Sequence, residues 1–199
     1  MTDERLRDQV RFILEIDRLK GVLRRTYLLD GTRRENSAEH SWHVAVMAAV
    51  LAERADEPVD AARVVRMLLV HDVVEVDAGD TFVYDTAAAE SKAERERAAA
   101  RRIFGLLPHD QGAELRALWE EFEAARTPDA RFAAALDRMM PVLHNLHTGG
   151  RAWRENGVTA DMVLARNRRI EEGSRALWEY LRAEIEGAVA RGDLAPARS

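Results

Sequence analysis

The chain has 199 residues, enough for a single domain with a sizeable core. Its make-up, 47% hydrophobic and 33% charged, is that of a globular protein rather than a disordered or membrane-spanning one. A formal charge of −5 argues against broad binding to nucleic-acid polymers or membrane surfaces, yet leaves room for a small phosphate ligand in a local pocket. No cysteine is present, so disulfides and thiolate chemistry are excluded and any metal must be held by nitrogen and oxygen. The first residues, Met1-Thr2-Asp3-Glu4-Arg5, are charged and have no apolar signal core, which makes a cytoplasmic protein the expectation.

Ala, Leu, Arg and Glu dominate, a composition that favours helix. The first predicted helix runs from about Asp3 to Gly21, with Val10, Ile13 and Leu14 on one face. A loop follows, from about Val22 to Asn36, carrying Arg24, Arg25, Arg33, Arg34 and the turn Asp30-Gly31. Asn36 and Glu39 have the spacing of a capping box and start a helix over about Ser37–Arg54. The next helix spans about Asp60–Val76, and residues 77–88 form a turn-rich loop. Further helices are expected at about Ala89–Phe104, at Asp110–Ala125, and from Thr127 to His147 with a kink at Pro141. Thr148-Gly149-Gly150 breaks the chain, and Thr159 caps a last long helix to about Val189. With no sustained period-two alternation, the fold class is all-α, one helical bundle over residues 1–199 with little or no β.

The chemistry concentrates in His71-Asp72-Val73-Val74-Glu75-Val76-Asp77-Ala78-Gly79-Asp80, at the end of the apolar run Val64–Val70. His71 and Asp72 offer two metal ligands, and Glu75 lies one helical turn after His71. Gly79 permits a sharp turn that brings Asp80 back towards them. Buried charges are costly unless paired or bound to metal, so so many ionisable groups point to a metal site with acid/base groups beside it.

A lone histidine in a first helical turn, such as His40, is usually a hydrogen-bonded core residue; coupled to a downstream His-Asp pair it becomes a candidate ligand. His43, three residues on, is read as a pocket residue behind the ligands. Asp137 is the carboxylate within a long apolar stretch, and the bland alternative is a salt bridge to Arg138. Together His40, His71, Asp72 and Asp137 form a set able to hold a divalent cation with positions open for water and substrate. Arg24, Arg33 and Arg34 could clamp a phosphate, because guanidinium matches its oxygens bidentately. His144 and His147 have no carboxylate at a useful spacing and are read as core or pocket wall. The four tryptophans are read as core or interface, and the run Glu90–Arg97 as a solvated helix face.

The order H…HD…D resembles the HD-domain superfamily of metal-dependent phosphohydrolases. The closest likeness is to its short 5′-deoxynucleotidase branch, the HD-domain-containing-protein-2 type. The matching residues are Arg18-Leu19-Lys20 with Arg24, then Arg34-Glu35-Asn36-Ser37-Ala38-Glu39-His40-Ser41, then His71-Asp72, Glu75, Gly79-Asp80, and Leu136-Asp137. They span roughly residues 12–147, leaving about 158–190 as a C-terminal helical extension. The resemblance implies that His40, His71, Asp72 and Asp137 hold the metal, that Glu75 and Asp80 act near the attacked phosphate, and that Arg24 contacts that phosphate. It further implies a homodimer, a nucleoside 5′-monophosphate as small-molecule substrate, and one divalent ion: cobalt, manganese, or alternatively magnesium, zinc, nickel or iron. Arg25 stands where those nucleotidases can carry an aromatic residue. Residues 145–157 resemble a second, large group of HD hydrolases. Other readings are a phosphohydrolase of nucleoside triphosphates or a guanosine alarmone, a non-catalytic nucleotide sensor, and a metal-free structural bundle.

Overall fold

The computed structural model describes residues 3–80 and 86–197, with side chains omitted for residues 86–91. Its elements, in chain order, are α1 (Glu4–Ile16), β1 (Leu23–Tyr27), β2 (Arg34–Asn36), α2 (Ser37–Leu51), α3 (Ala61–Val70), α4 (Glu75–Ala78), α5 (Thr86–Phe104) and α6 (His109–Ala124). The long α7 (Pro128–His147) follows, then α8 (Arg151–Glu155), α9 (Ala160–Asn167) and α10 (Arg175–Arg191). Among the described residues the sheet is one antiparallel pair, β1 with β2. The all-α expectation holds. The segment expected as a plain loop, Val22 to Asn36, instead closes into a hairpin through the Asp30-Gly31 turn, with Leu23 opposite Asn36 and Tyr27 opposite Arg34. No helix of the described residues is long and apolar enough to cross a membrane.

Local signals explain most helix starts. Asn36 Oδ1 accepts from the Glu39 backbone N–H at 2.9 Å while Glu39 Oε2 accepts from the Asn36 N–H at 3.2 Å, so the capping box is complete. Asp60 accepts from the amides of Ala62 and Arg63 to start α3. Thr127 caps α7, with Pro128 in its first turn, where a missing N–H costs nothing. The helix runs on through Pro141 without a break in its assignment.

Two predicted helices are divided. The expected helix from Asp60 to Val76 stops after Val70, because Val73 N–H bonds Val70 C=O and Glu75 N–H bonds Asp72 C=O. These tighter i→i−3 bonds replace the α pattern and turn His71 and Asp72 out of the helical register. The expected last helix is interrupted at Gly173-Ser174. A Cβ on Gly173 would lie 2.5 Å from the Arg131 carbonyl oxygen, so the two backbones meet there with no room for a side chain. Ser174 then starts α10 by accepting from the Leu177 N–H.

Apolar side chains gather in two clusters. One joins α2, α3, α7 and α10 through residues such as Val44, Leu68, Leu136 and Leu181. The other joins α1, α5 and α6 to the segment after α3, through Phe12, Val73, Val74, Phe104 and Trp119. Leu68 belongs to the first and Val73 to the second, so the chain changes cores across His71-Asp72. Polar groups in that crossing are held rigidly from both sides.

Candidate active site

Separate segments of the chain deliver the predicted site residues. Arg24 comes from β1, His40 from the first turn of α2, His71 and Asp72 from the turn after α3, and Asp137 from the middle of α7. Glu75 opens α4, and Asp80 follows Gly79, whose φ of 71° makes the sharp bend. The residues 81–85 of the predicted loop lie outside the described residues.

His40 Nε2 lies 2.9 Å from Asp137 Oδ1, and His71 Nε2 lies 3.6 Å from the same oxygen. Donor atoms of His40, His71 and Asp137 all fall within 4.8 Å of one another. Asp72 joins through His71, with Oδ1 3.1 Å from Nε2. The alternative of an Asp137–Arg138 ion pair does not occur, since Asp137 meets the two imidazoles and Arg24 instead.

The residues fit a divalent cation on two grounds. His71 Nδ1 is 2.7 Å from the Leu68 carbonyl oxygen, which accepts its proton and turns Nε2 towards the carboxylates. That Nε2 is buried and makes no hydrogen bond. The donors are imidazole and carboxylate, a set suited to transition and related divalent ions. Phe122 packs edge-on to the His71 ring at 4.9 Å and fixes its plane.

Arg24 lies among carboxylates. Its Nη1 donates to Asp72 Oδ2 at 2.8 Å and lies 3.9 Å from Asp80, and its Nη2 lies 4.0 Å from Asp137. Burial works against its charge, but these carboxylates outweigh burial and hold it firmly protonated. Glu75 is buried, and its Oε2 accepts from Ser37 Oγ at 2.6 Å. Burial, with the nearby charges of Asp72 and Asp80, pushes the Glu75 carboxyl up to about 8 against the pull of Arg24. Burial raises Asp80 as well. Asp137 goes the other way: burial would raise it, but the hydrogen-bonded His40 and the nearby His71 imidazole keep it well below the usual carboxylate range.

A cavity of about 240 Å³ opens on these groups, lined by Arg24, His71, Asp72, Glu75, Asp80 and Asp137 among others. Arg25 also reaches it, whereas Arg33 is taken up by Glu39 at 2.5 Å and Arg34 lies over the Tyr27 ring. Of the predicted phosphate clamp, only Arg24 therefore arrives. Asp77, in the same charged stretch, turns away to Arg102 on α5. The run Glu90–Arg97 is not simply a solvated face: Lys92 and Glu96 line the cavity, and Glu96 is buried. Glu90 and Ser91 have no described side chains.

Three groups escaped the sequence reading. Ser37 is hidden as a first-turn residue, yet it carries the hydrogen bond to Glu75. Glu123, from α6, lines the cavity, and burial raises its carboxyl. Glu35 sits fully buried on β2, and its signal was a charged residue at the inward position of Arg34-Glu35-Asn36. His144 is buried, in line with the core reading, and has a carboxylate neighbour from far along the chain: Glu35 Oε2 lies 3.6 Å from His144 Nδ1. His43 groups with Glu35 and His144, away from the His40–His71–Asp137 set, and His147 is exposed.

The family model described as HD domain matches residues 16–178 of the chain. The chain belongs to the HD-domain family. Within that family it is similar to 5′-deoxynucleotidase HDDC2 of Homo sapiens, 35% identical over 138 residues, which cover 69% of this chain and 66% of that one. The Bos taurus protein of the same name is 33% identical over 144 residues, 72% of this chain and 69% of that one. The chain thus spans about two thirds of the length of the curated relatives it matches. Among solved structures, a predicted metal-dependent phosphohydrolase from Magnetospirillum magnetotacticum MS-1 is 58% identical, with a TM-score of 0.93 and 96% of each chain covered. The HD-domain and 5′-deoxynucleotidase resemblance read from the motifs is borne out.

Proposed function

We propose that this chain is a metal-dependent phosphohydrolase that cleaves the phosphomonoester of a nucleoside 5′-monophosphate. The observation that carries the reading is the placement of Glu75, its carboxyl raised to about 8, in one cavity with the His71, Asp72 and Asp137 donors and with Arg24. The names of the HDDC2 relatives supply the substrate class, and that of the Magnetospirillum protein the metal dependence.

His40, His71, Asp72 and Asp137 would hold one divalent ion, with cobalt or manganese the expected metal. When bound, the ion supplies Lewis-acid chemistry, drawing electron density from a phosphoryl oxygen and making a neighbouring water more acidic. Glu75 takes a proton from the attacking water, and its raised carboxyl suits proton exchange near neutral pH. The water oxygen forms its bond to phosphorus as the P–O ester bond breaks. Asp80, raised by burial, delivers a proton to the leaving ester oxygen, so that nucleoside and inorganic phosphate are the products. Arg24 offsets the charge that builds on the phosphoryl oxygens. Ser37 holds Glu75 in place through the 2.6 Å hydrogen bond.

We read the active form as a homodimer. Support comes from exposed apolar residues on two helices, Val10, Ile13 and Leu14 on α1 and Trp42, Val46 and Val50 on α2.

The test is a screen of nucleoside mono-, di- and triphosphates, in ribo and deoxyribo forms, against Co²⁺, Mn²⁺, Mg²⁺, Zn²⁺, Ni²⁺ and Fe²⁺, with released phosphate as readout. Release from 5′-monophosphates above all others is the expected result. Release from triphosphates alone, or from none of them, would overturn the assignment.

A further inference from the structure

Glu35 is a carboxylate with 1% exposure, and it does not line the cavity. Burying a carboxylate is costly unless partners surround it, and here they surround one oxygen. Thr26 Oγ1 donates to Oε2 at 3.3 Å. Around the same oxygen stand His40 Nδ1 at 3.4 Å, His144 Nδ1 at 3.6 Å and Arg24 Nε at 3.8 Å. Two of these side chains continue into the site. The far nitrogen of His40, Nε2, meets Asp137, and the far nitrogen of Arg24, Nη1, meets Asp72.

We propose that Glu35 is a positioning residue, holding His40 and Arg24 from behind so that His40 Nε2 and the Arg24 guanidinium face the cavity together. The inference rests on reading His40 as a metal ligand. An imidazole that binds metal through Nε2 must carry its proton on Nδ1, and an acceptor behind Nδ1 selects that tautomer, fixes the ring plane and makes Nε2 a better donor. Among the described residues, Glu35 is the ion-pair partner of His40 Nδ1. The 3.4 Å contact is long for a hydrogen bond, so a small rotation of the ring is all that separates a loose contact from a formed one. His71 obtains the same support from the Leu68 carbonyl oxygen, on its own Nδ1. The two histidines are thus backed alike, one by backbone and one by a buried side chain.

The experiment titrates Co²⁺ into chelator-treated protein, wild type and Glu35→Gln, and follows the visible absorption of the bound ion. Glu35→Gln is expected to weaken Co²⁺ binding about 10- to 100-fold and to alter the band shape. KM for the 5′-monophosphate should rise as Arg24 loosens. His144→Gln, on the far side of Glu35, should bind Co²⁺ like wild type. Should Glu35→Gln fail to fold, Glu35→Asp carries the same test, because the shortened side chain must weaken Co²⁺ too. Wild-type affinity and spectrum in the Glu35 variant overturn the proposal. So does a second Co²⁺ equivalent in wild type that His43→Gln removes, since Glu35 would then be a ligand itself. His40→Ala separates the two levels: if it binds Co²⁺ like wild type, the metal-site reading fails, whereas weak binding there with normal binding in Glu35→Gln sinks only the role of Glu35.

Discussion

Two groups of the same composition stand side by side in this protein: His40, His71 and Asp137 in one, His43, His144 and Glu35 in the other. Each has two imidazoles and a carboxylate within 4.8 Å of one another. They differ in access and in what surrounds the carboxylate. His71 and Asp137 line the cavity, and Asp72, Glu75 and Asp80 line it with them. Glu35, His43 and His144 do not line it, and Glu35 is ringed by Thr26, His40 and Arg24 as well as His144. Residue types alone therefore do not make a catalytic site. In the proposed reading the same residue types serve chemistry where a substrate can reach them, and orientation where it cannot.

The sharpest way to break this comparison is His71→Ala. It removes the Nε2 that faces Asp72 and Asp137 and should abolish metal binding and turnover together, which metal analysis and phosphate release would show in parallel. Next in size is Glu75→Gln. The metal should stay, while kcat falls about 10²- to 10⁴-fold, the usual worth of a positioned acid/base group. Wild-type turnover in that variant would remove Glu75 from the mechanism. A third measurement is thermal: an ion present at 100 times its Kd should stabilise the wild-type fold by about 2.7 kcal/mol. Differential scanning fluorimetry with Co²⁺ should show that shift in wild type and in His43→Gln, and should not show it in His71→Ala. The smallest effect belongs to His43→Gln itself, whose metal content and kcat should match wild type. A loss of metal there comparable with His71→Ala would erase the distinction between the two groups.

Much of this was legible before any fold was seen. Asn36 and Glu39 announced the start of α2 because capping is local chemistry, settled by atoms three residues apart. Thr127-Pro128 announced α7 for the same reason. The division of the segment after Val70 was not legible. Asp60–Val76 reads as one continuous helix, and only packing into two different cores makes the chain tighten at His71-Asp72. The partial burial of the Glu90–Arg97 run was likewise hidden, because Lys92 and Glu96 face inward only once α5 lies against the cavity.

The linear order of His40, His71-Asp72, Glu75, Asp80 and Asp137 determined the family and the kind of chemistry, since those residue types at those positions have few other uses. Tertiary structure alone decided which groups meet. It sent Asp77 outward to Arg102, separated His43 from His40, and placed Glu35 behind the site. Such pairings depend on distances between residues far apart in the chain, and no local rule encodes them. Burial then gave Glu75 a carboxyl raised to about 8, whereas the His40 and His71 imidazoles hold Asp137 well below the usual range against its burial, although both are ordinary acids in the sequence.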